Sequence, residues 1–370
     1  MQRTVPFFNY PFVYNQYKQD IDASIDKVLQ RGAFILQQEL IDFEKAIEKY
    51  VNIKHAIGVA NGTESMFIAL LAAGIKPGDE VILASHTYIA TAASVHFSGG
   101  VPVLVECGKD HLIDPQSIKK AITSKTKFIM PTQLNGRVAD MDAIQSIADE
   151  NNLIIIEDAA QALGAKYKDK YAGTFGLAGS ISLYPAKVLG AFGDGGLLFT
   201  NDDDMYYKMK CMRDHGRNDD GMVMMWGVNS RLDNLNAAVL LVKLKYFQKD
   251  IERRREIASI YDKRLKDNEH LLLPPAPDSD KNHYDIYQNY EIEADRRDEL
   301  RIFLKERGIG SIIQWGGTPV HKFKNLGLPE KALPFTEKMF ERCFLLPMNT
   351  SLINDDVHYI CDTVIDFYKK

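Results

Sequence analysis

The sequence predicts an α/β fold in which helices cover both faces of a mainly parallel sheet, followed by a smaller α+β domain. Short apolar runs alternate with helical stretches, a pattern typical of such sheets. Past residue 230 the pattern changes to a long, charged helical segment. The length of 370 residues suits two or three domains. We therefore expect two domains, residues 1–245 and residues 246–370.

The elements of the larger domain follow from apolar periodicity. Two amphipathic helices, separated by a turn at residues 32–35, open the chain. Their apolar residues recur at helical spacing: Ile21, Ile25, Val28 and Leu29, then Leu40, Phe43, Ile47 and Tyr50. Apolar runs then predict seven strands, at 55–60, 80–85, 101–106, 127–130, 153–157, 179–184 and 196–200. Helices are predicted between them, for example at 64–73 and 91–97.

The second half of the chain predicts different elements. Residues 235–266 predict one long helix that could bridge the two domains. After the proline-rich segment LLLPPAPDSD come a strand-like segment, YDIYQNYEIEA, and a helix at 297–307. A closing helix begins at residue 355. These elements predict the small α+β domain.

Composition excludes several classes of function. The net charge of −5 is spread along the chain without a basic block, so a nucleic-acid partner is not expected. No stretch reaches the roughly 20 apolar residues of a membrane helix, and the first residues lack the apolar core of a signal peptide. A cytoplasmic protein is expected. The four cysteines are far apart and form no CxxC pair, so we expect neither disulfides nor a metal site.

Polar and aromatic residues follow several predicted strands, at the edge where open parallel sheets bind ligands. The turn Asn61-Gly62-Thr63 opens a helix whose N–H groups could hold a phosphate. Alternatively, it is only a helix start capped by Thr63. Tyr88 follows the second strand and could stack on a planar heteroaromatic ligand. A core or surface tyrosine is the alternative.

Two ionisable residues carry the strongest chemical signal. Asp158 ends a buried apolar strand, where an unpaired carboxylate is costly. It could face a protonated pyridine nitrogen or cap the next helix. Lys187 lies just past another buried strand in surroundings without other basic residues. Burial lowers the pKa of such a lysine and frees its amine to form an imine. The nearby glycines form no GxGxxG fingerprint.

Together, five motifs resemble the DegT/DnrJ/EryC1/StrS sugar aminotransferases over nearly the whole chain. They are NGT at 61–63, TYIAT at 87–91, EDAAQ at 157–161, SLYPAK at 182–187 and GDGG at 193–196. The resemblance implies the aspartate aminotransferase-like (fold type I) architecture with a seven-stranded sheet in a large domain that binds pyridoxal 5'-phosphate (PLP). It also implies a homodimer with shared active sites. The implied reaction moves an amino group from L-glutamate to the ketone of a nucleotide-linked sugar, in amino-sugar biosynthesis for surface polysaccharides or glycoconjugates.

The resemblance also assigns site residues. Lys187 would be the catalytic Schiff-base lysine, Asp158 the partner of the pyridine nitrogen, Gln161 a neighbour of the 3'-oxygen, and Tyr88 the stacking ring. Gly62, Thr63 and Ser182 would hold the phosphate, and Asn229 would reach in from the other subunit. Arg231, Trp315 and His321 would contact substrate. In this mechanism the freed Lys187 amine moves a proton between the donor's α-carbon and C4' of the cofactor, which alternates with pyridoxamine 5'-phosphate.

Two segments depart from the family pattern, and four alternatives stay open. Residues 133–136 (QLNG) replace the usual His-Leu-Tyr-Gly, and residues 314–317 (QWGG) replace a Tyr-Pro pair. Both should border the acceptor, so a smaller phosphorylated ketone is an alternative substrate. A PLP dehydratase would have histidine in place of Lys187. A class I aldolase would need a Schiff-base lysine but not Asp158. A regulatory or scaffold protein would have no physical reason to keep this set of residues.

Overall fold

A seven-stranded sheet forms the centre of the computed structural model, which describes residues 3–369. The strands of the described chain are β1 (His55–Val59), β2 (Glu80–Ala84), β3 (Val101–Val105), β4 (Thr126–Ile129), β5 (Ile154–Asp158), β6 (Lys166–Tyr167), β7 (Lys170–Tyr171), β8 (Ala178–Ser182), β9 (Gly196–Thr200), β10 (Leu271–Leu272), β11 (His283–Tyr284), β12 (Tyr290–Ala294) and β13 (Cys343–Leu346). The α-helices are α1 (Tyr10–Gln16), α2 (Lys18–Arg31), α3 (Gln38–Val51), α4 (Gly62–Ala72), α5 (Ile89–Phe97), α6 (Pro115–Ala121), α7 (Met141–Asn151), α8 (Asp203–Met212), α9 (Asn234–Leu244), α10 (Phe247–Leu265), α11 (Arg297–Glu306), α12 (Pro334–Arg342) and α13 (Asn354–Tyr368). Short 3-10 turns occupy Leu134–Gly136, Gln314–Gly317, Val320–Lys322 and Lys324–Leu326.

The central sheet has the strand order β1-β9-β8-β5-β4-β2-β3. The β3-β2, β2-β4, β4-β5 and β5-β8 pairs are parallel, whereas β9 is antiparallel to both β8 and β1. A parallel pair needs a crossover, usually a helix, but the connection from β8 to β9 at 183–195 contains none, so the chain returns in the opposite direction. All seven predicted strands and the mainly parallel sheet are confirmed.

Apolar residues of the described chain pack into clusters on both faces of the sheet and in a separate C-terminal layer. One cluster includes Phe43 and Ile47 of α3, and another includes most of the apolar side chains of α4. A third surrounds the small sheet β10-β12-β13, between α10, α11 and α13. The predicted helical faces are confirmed in the main, although Leu29 is exposed. Within residues 3–369 no helix combines the length and apolarity needed to cross a membrane.

The prediction of a single long helix at 235–266 is wrong, because the segment forms two helices, α9 and α10. The helix is interrupted at Lys245 and Tyr246, two turn residues that keep a right-handed backbone, and the ring of Tyr246 stacks on Tyr17 at 4.0 Å between centroids. α9 packs on α2 and α3, whereas α10 contacts α13, and the later part of α10 (Ile257 to Leu265) lies in the C-terminal cluster. The domain boundary at 245/246 stays a prediction. Phe247 and Ile251 of α10 still pack in the cluster of the central sheet.

The segment YDIYQNYEIEA, predicted to be strand-like, is a strand only in part. Only residues 283–284 and 290–294 are strands, and between them Tyr287 has a left-handed backbone (φ 50°). The buried guanidinium of Arg254 stabilises this loop by donating to the carbonyl oxygens of Tyr287 and Gln288. The helix at 334–342 and the strand at 343–346 had no counterpart in the prediction.

Candidate active site

A cavity of about 550 Å³ opens at the carboxyl ends of β2, β4, β5 and β8. This edge is where parallel sheets are expected to bind ligands. The predicted site residues that line the cavity are Gly62, Thr63, Tyr88, Asp158, Gln161, Ser182, Trp315 and Lys187. The fold therefore brings together eight residues that are up to 253 positions apart in the chain, from 62 to 315.

Lys187 lies in the helix-free connection between β8 and β9. Its backbone N–H donates to the carbonyl oxygen of Tyr184 at 2.8 Å, which forms a tight turn just past the strand. A side chain at Gly190 would come within 2.5 Å of the Pro185 carbonyl oxygen, so the turn can close only on glycine. Burial lowers the pKa of Lys187 to about 8, although the charge of Asp158 opposes this shift. About half of the amine is therefore neutral and nucleophilic at pH 8, and about a tenth at pH 7.

Asp158 ends β5 at the base of the cavity, and its carboxylate is buried. Oδ2 accepts a hydrogen bond from Thr91 Oγ1 at 2.6 Å, and Oδ1 accepts one from the backbone N–H of Ala160 at 3.2 Å. Burial raises the pKa of Asp158 despite these hydrogen bonds and the charge of Lys187. No lysine, arginine or histidine within residues 3–369 forms a salt bridge with it. A cationic ligand atom would supply the missing opposite charge.

The N-terminus of α4 forms one end of the cavity. Asn61 caps the helix by accepting from the backbone N–H of Glu64 at 2.8 Å, so the alternative that assigned the cap to Thr63 is wrong. A Cβ added to Gly62 would lie 3.0 Å from Cβ of Ser182, so glycine permits the close approach of the helix to β8. The first N–H groups of a helix attract anions. With the Ser182 hydroxyl beside them, they suit a phosphate.

Aromatic and amide side chains form the remaining walls. Tyr88 is 55% exposed, and its ring centroid lies 6.5 Å from that of Trp315. Gln161 accepts a hydrogen bond at Oε1 from the backbone N–H of Asn135 at 2.8 Å. Asn135 belongs to one of the two segments that depart from the family pattern, and Trp315 belongs to the other. Both segments border the cavity, since Leu134 also lines it, and their contact with the acceptor stays a prediction.

Comparisons with known proteins agree with this geometry. Residues 15–365 match the DegT/DnrJ/EryC1/StrS aminotransferase family. The chain belongs to this family. The pleiotropic regulatory protein of Geobacillus stearothermophilus is 39% identical over 99% of both chains. The dTDP-3-amino-3,4,6-trideoxy-alpha-D-glucose transaminase of Streptomyces venezuelae is 36% identical over 99% of this chain and 97% of the relative. The crystal structure of Streptomyces venezuelae DesV in complex with a ketimine intermediate superposes with a TM-score of 0.95, at 35% identity over 99% of both chains.

As a DegT/DnrJ/EryC1/StrS aminotransferase, the protein is a PLP-dependent transaminase with a fold type I architecture. The cavity fits the cofactor. Asp158, which forms no salt bridge among the described residues, suits a protonated pyridine nitrogen, Gly62 and Ser182 suit the phosphate, and the Lys187 amine can form the imine. The predicted fold, family, enzyme class and cofactor are confirmed.

Three predicted residues of this aminotransferase do not line the cavity of the single chain. Asn229 is exposed, and Arg231 forms a salt bridge with Asp214 at 3.0 Å. His321 is buried, with hydrogen bonds from its ring nitrogens to Ser85 Oγ at 2.6 Å and to Glu337 at 3.1 Å. Their predicted contacts with cofactor and substrate stay predictions.

Sequence reasoning missed Gln288, which lines the cavity of this aminotransferase and holds the Lys187 turn. Its Oε1 accepts from the backbone N–H of Val188 at 2.9 Å, and its Nε2 donates to the carbonyl oxygen of Ala186 at 2.8 Å. The residues on both sides of Lys187 are thus fixed by one side chain. No local signal marked this glutamine, because it lies in the segment that we predicted to be a strand.

Proposed function

We propose that this aminotransferase transfers an amino group from L-glutamate to the ketone of a nucleotide-linked 3-keto-sugar, a step of amino-sugar biosynthesis. The observation that carries the proposal is the meeting of Lys187, Asp158 and the α4 N-terminus in one cavity. The 3-keto position is supported by the Streptomyces venezuelae relative, whose name specifies a 3-amino sugar. The cytoplasm, predicted from the sequence, is the compartment that we propose.

Lys187 is the residue that we assign to proton transfer. PLP supplies an electron sink that stabilises negative charge at the donor's α-carbon. The pKa of about 8 lets Nζ accept a proton near neutral pH, and the same group can return it. The hydrogen bonds from Gln288 to the two neighbours of Lys187 support a fixed position for this amine.

Asp158 is the residue that we assign to the pyridine nitrogen. Its carboxylate is buried, which strengthens its interaction with a proton held on a ligand nitrogen. Thr91 orients Oδ2, and Thr91 itself is held by a hydrogen bond with Thr87 at 2.7 Å. We assign Gln161 to the 3'-oxygen and Tyr88 to the face of the ring, consistent with their positions on the cavity wall.

The phosphate is assigned to the N-terminus of α4, with Gly62, Thr63 and Ser182. The helix contributes N–H groups and the positive end of its dipole. Two hydrogen bonds hold the backbone of Gly62 in place, because its carbonyl oxygen accepts from Ser65 Oγ at 2.7 Å and from Ser180 Oγ at 3.1 Å. These contacts support a preorganised phosphate cup.

We propose a homodimer in which Asn229 completes the partner's active site. The loop before it exposes Met222, Val223, Met224 and Trp226, and Trp226 is 96% exposed. Clustered exposed apolar residues of this size mark protein interfaces. Arg231 and His321 remain our candidates for contacts with the substrate, and Trp315 lines the cavity on the proposed acceptor side.

The direct test runs the reaction in reverse, because 3-amino nucleotide sugars are the products of the proposed reaction. The PLP-loaded protein is mixed with a dTDP- or UDP-linked 3-amino sugar, and with the matched 4-amino sugar as control. We expect the 3-amino sugar, but not the 4-amino sugar, to convert the cofactor to its pyridoxamine form. Adding 2-oxoglutarate should then regenerate PLP. Conversion only with 4-amino sugars would contradict the proposed amination at carbon 3 of the sugar. Conversion only with small phosphorylated amines would contradict the nucleotide sugar.

A further inference from the structure

A second group of polar side chains lies outside the proposed PLP chemistry. His86 follows β2, His111 follows β3, and Glu291 lies on β12, so the group joins the central sheet to the small sheet. One ligand atom from each residue lies within 4.8 Å of the other two. Exposure of the His86, Glu291 and His111 side chains is 0%, 2% and 12%. Two imidazoles and a carboxylate are a ligand set that zinc commonly takes.

The distances from the two histidines to Glu291 are close to those of a tetrahedral zinc site. His111 Nδ1 lies 3.0 Å from Glu291 Oε1, and His86 Nε2 lies 3.5 Å from the same oxygen. Two ligands that are each about 2.0–2.1 Å from zinc at a tetrahedral angle are about 3.3 Å apart. The observed distances lie on either side of that value, so the side chains need only small movements, and the ion displaces the proton that His111 Nδ1 donates to Glu291 Oε1 into solvent.

The outer contacts orient each ligand toward the centre of the group. His86 Nδ1 donates to the carbonyl oxygen of His111 at 3.1 Å, and His111 Nε2 lies 3.1 Å from Glu293 Oε1. Glu291 Oε2 accepts from Asn135 Nδ2 at 2.6 Å. Metal-binding histidines characteristically donate their other ring N–H to a carbonyl oxygen or a carboxylate. Both histidines have this partner.

His86 provides the independent observation that points to a ligand. Its Nε2 is buried and has no hydrogen-bond partner in the part of the chain that the structure describes. Because Nδ1 donates to a carbonyl oxygen, neutral His86 presents a lone pair at Nε2 toward an oxygen of Glu291. Two acceptors that face each other in a buried site are unfavourable. A cation between them would satisfy both.

We propose that a divalent transition-metal ion of the zinc class binds His86 Nε2, His111 Nδ1 and Glu291 Oε1. A fourth position can take water from an adjoining cavity of about 340 Å³, which His111 and Glu291 line. The ion fastens the carboxyl edge of the central sheet to β12. It also lies behind the active-site wall, because the His86 ring packs edge-on against Trp315 at 5.1 Å between centroids.

The test uses the untagged PLP-loaded protein after removal of metal by a chelator. Zinc binding is measured by calorimetry and elemental analysis, and Co²⁺ is added separately because tetrahedral Co²⁺ gives visible d–d bands. Variants His111→Gln and Glu291→Gln remove one ligand each, and His96→Ala changes an exposed histidine elsewhere. Circular dichroism and the PLP absorption band report whether each variant is folded.

We expect one zinc ion per chain in the wild type and in His96→Ala, with tetrahedral Co²⁺ bands. Each ligand variant should bind zinc at least roughly tenfold more weakly. If the wild type binds no zinc, His111 only bridges the two glutamates as an ion pair and the proposal fails. Equal binding by wild type and both ligand variants would place the metal elsewhere and also overturn it. If one variant does not fold, the zinc affinity of the other variant and the Co²⁺ spectrum of the wild type test the proposal. Transaminase activity does not enter this test.

Discussion

Replacing Gln288 by alanine tests whether the Lys187 turn must be held from outside. The glutamine side chain is nearly buried, with 5% exposure, and it pairs the N–H of Val188 and the carbonyl oxygen of Ala186. Alanine leaves both backbone groups without that partner. Each unpaired buried group costs about 1–3 kcal/mol. Because water can enter from the cavity, we expect a loss near the lower end, about 2 kcal/mol in unfolding free energy.

The larger effect should be on catalysis. A displacement of about 1 Å in a reacting group can cost about a hundredfold in rate. We therefore expect Gln288→Ala to lower the rate of cofactor conversion by glutamate about 10- to 100-fold, with little change in bound PLP, since the phosphate cup and Asp158 are untouched. Stopped-flow absorbance measures this rate, and thermal denaturation measures stability.

The matched control is Gln248→Ala, which removes an exposed glutamine and should leave the rate unchanged. Gln288→Glu should not restore activity, because its carboxylate cannot donate to the carbonyl oxygen of Ala186. A wild-type conversion rate in Gln288→Ala, together with a lower melting temperature, would mean that Gln288 serves stability alone. That result would refute the positioning role.

Three further predictions concern the cofactor. Asp158→Asn should slow glutamate-driven conversion by at least about a hundredfold, since the loss of a carboxylate facing a developing charge removes at least about 2.7 kcal/mol; a rate within threefold of wild type would contradict the assignment. Gly62→Ala should weaken PLP binding measured by dialysis and absorbance, because the new Cβ lies 3.0 Å from Ser182 Cβ; unchanged affinity would mean that the cup is elsewhere. The rate of PLP capture by the cofactor-free protein should rise about tenfold per pH unit and level off above about pH 8, where the Lys187 amine becomes neutral; a rise that continues to pH 10 would show an unshifted pKa.

The sequence predicted the central sheet well because its strands are short, almost wholly apolar and separated by helices. Lys187 and Asp158 could be predicted as functional residues because an ionisable side chain near the end of a buried apolar strand is energetically costly without a partner. Their meeting in one cavity follows from the common edge of a parallel sheet. These inferences depend on local pattern and one general rule of topology.

The missed features depend on contacts between distant segments. Gln288 lies in a stretch that the sequence predicts as strand-like. The chain instead turns at Tyr287, whose backbone is left-handed, and Arg254 binds the carbonyl oxygen of Gln288. His86, His111 and Glu291 are separated by 25 and 180 residues, so no sequence spacing could reveal them as a group. The break between α9 and α10 occurs at two turn residues, Lys245 and Tyr246, and the apolar periodicity of the sequence does not reveal it.

The absorption spectrum of the PLP-loaded protein with excess glutamate tests the central claim most directly. We predict that the absorption band of lysine-bound PLP is replaced by the band of the pyridoxamine form. The change in absorbance should correspond to one cofactor converted per chain. Lys187→Ala should keep PLP without covalent attachment and should not convert it. A wild-type spectrum that glutamate leaves unchanged, or a Lys187→Ala variant that converts at the wild-type rate, would contradict the account.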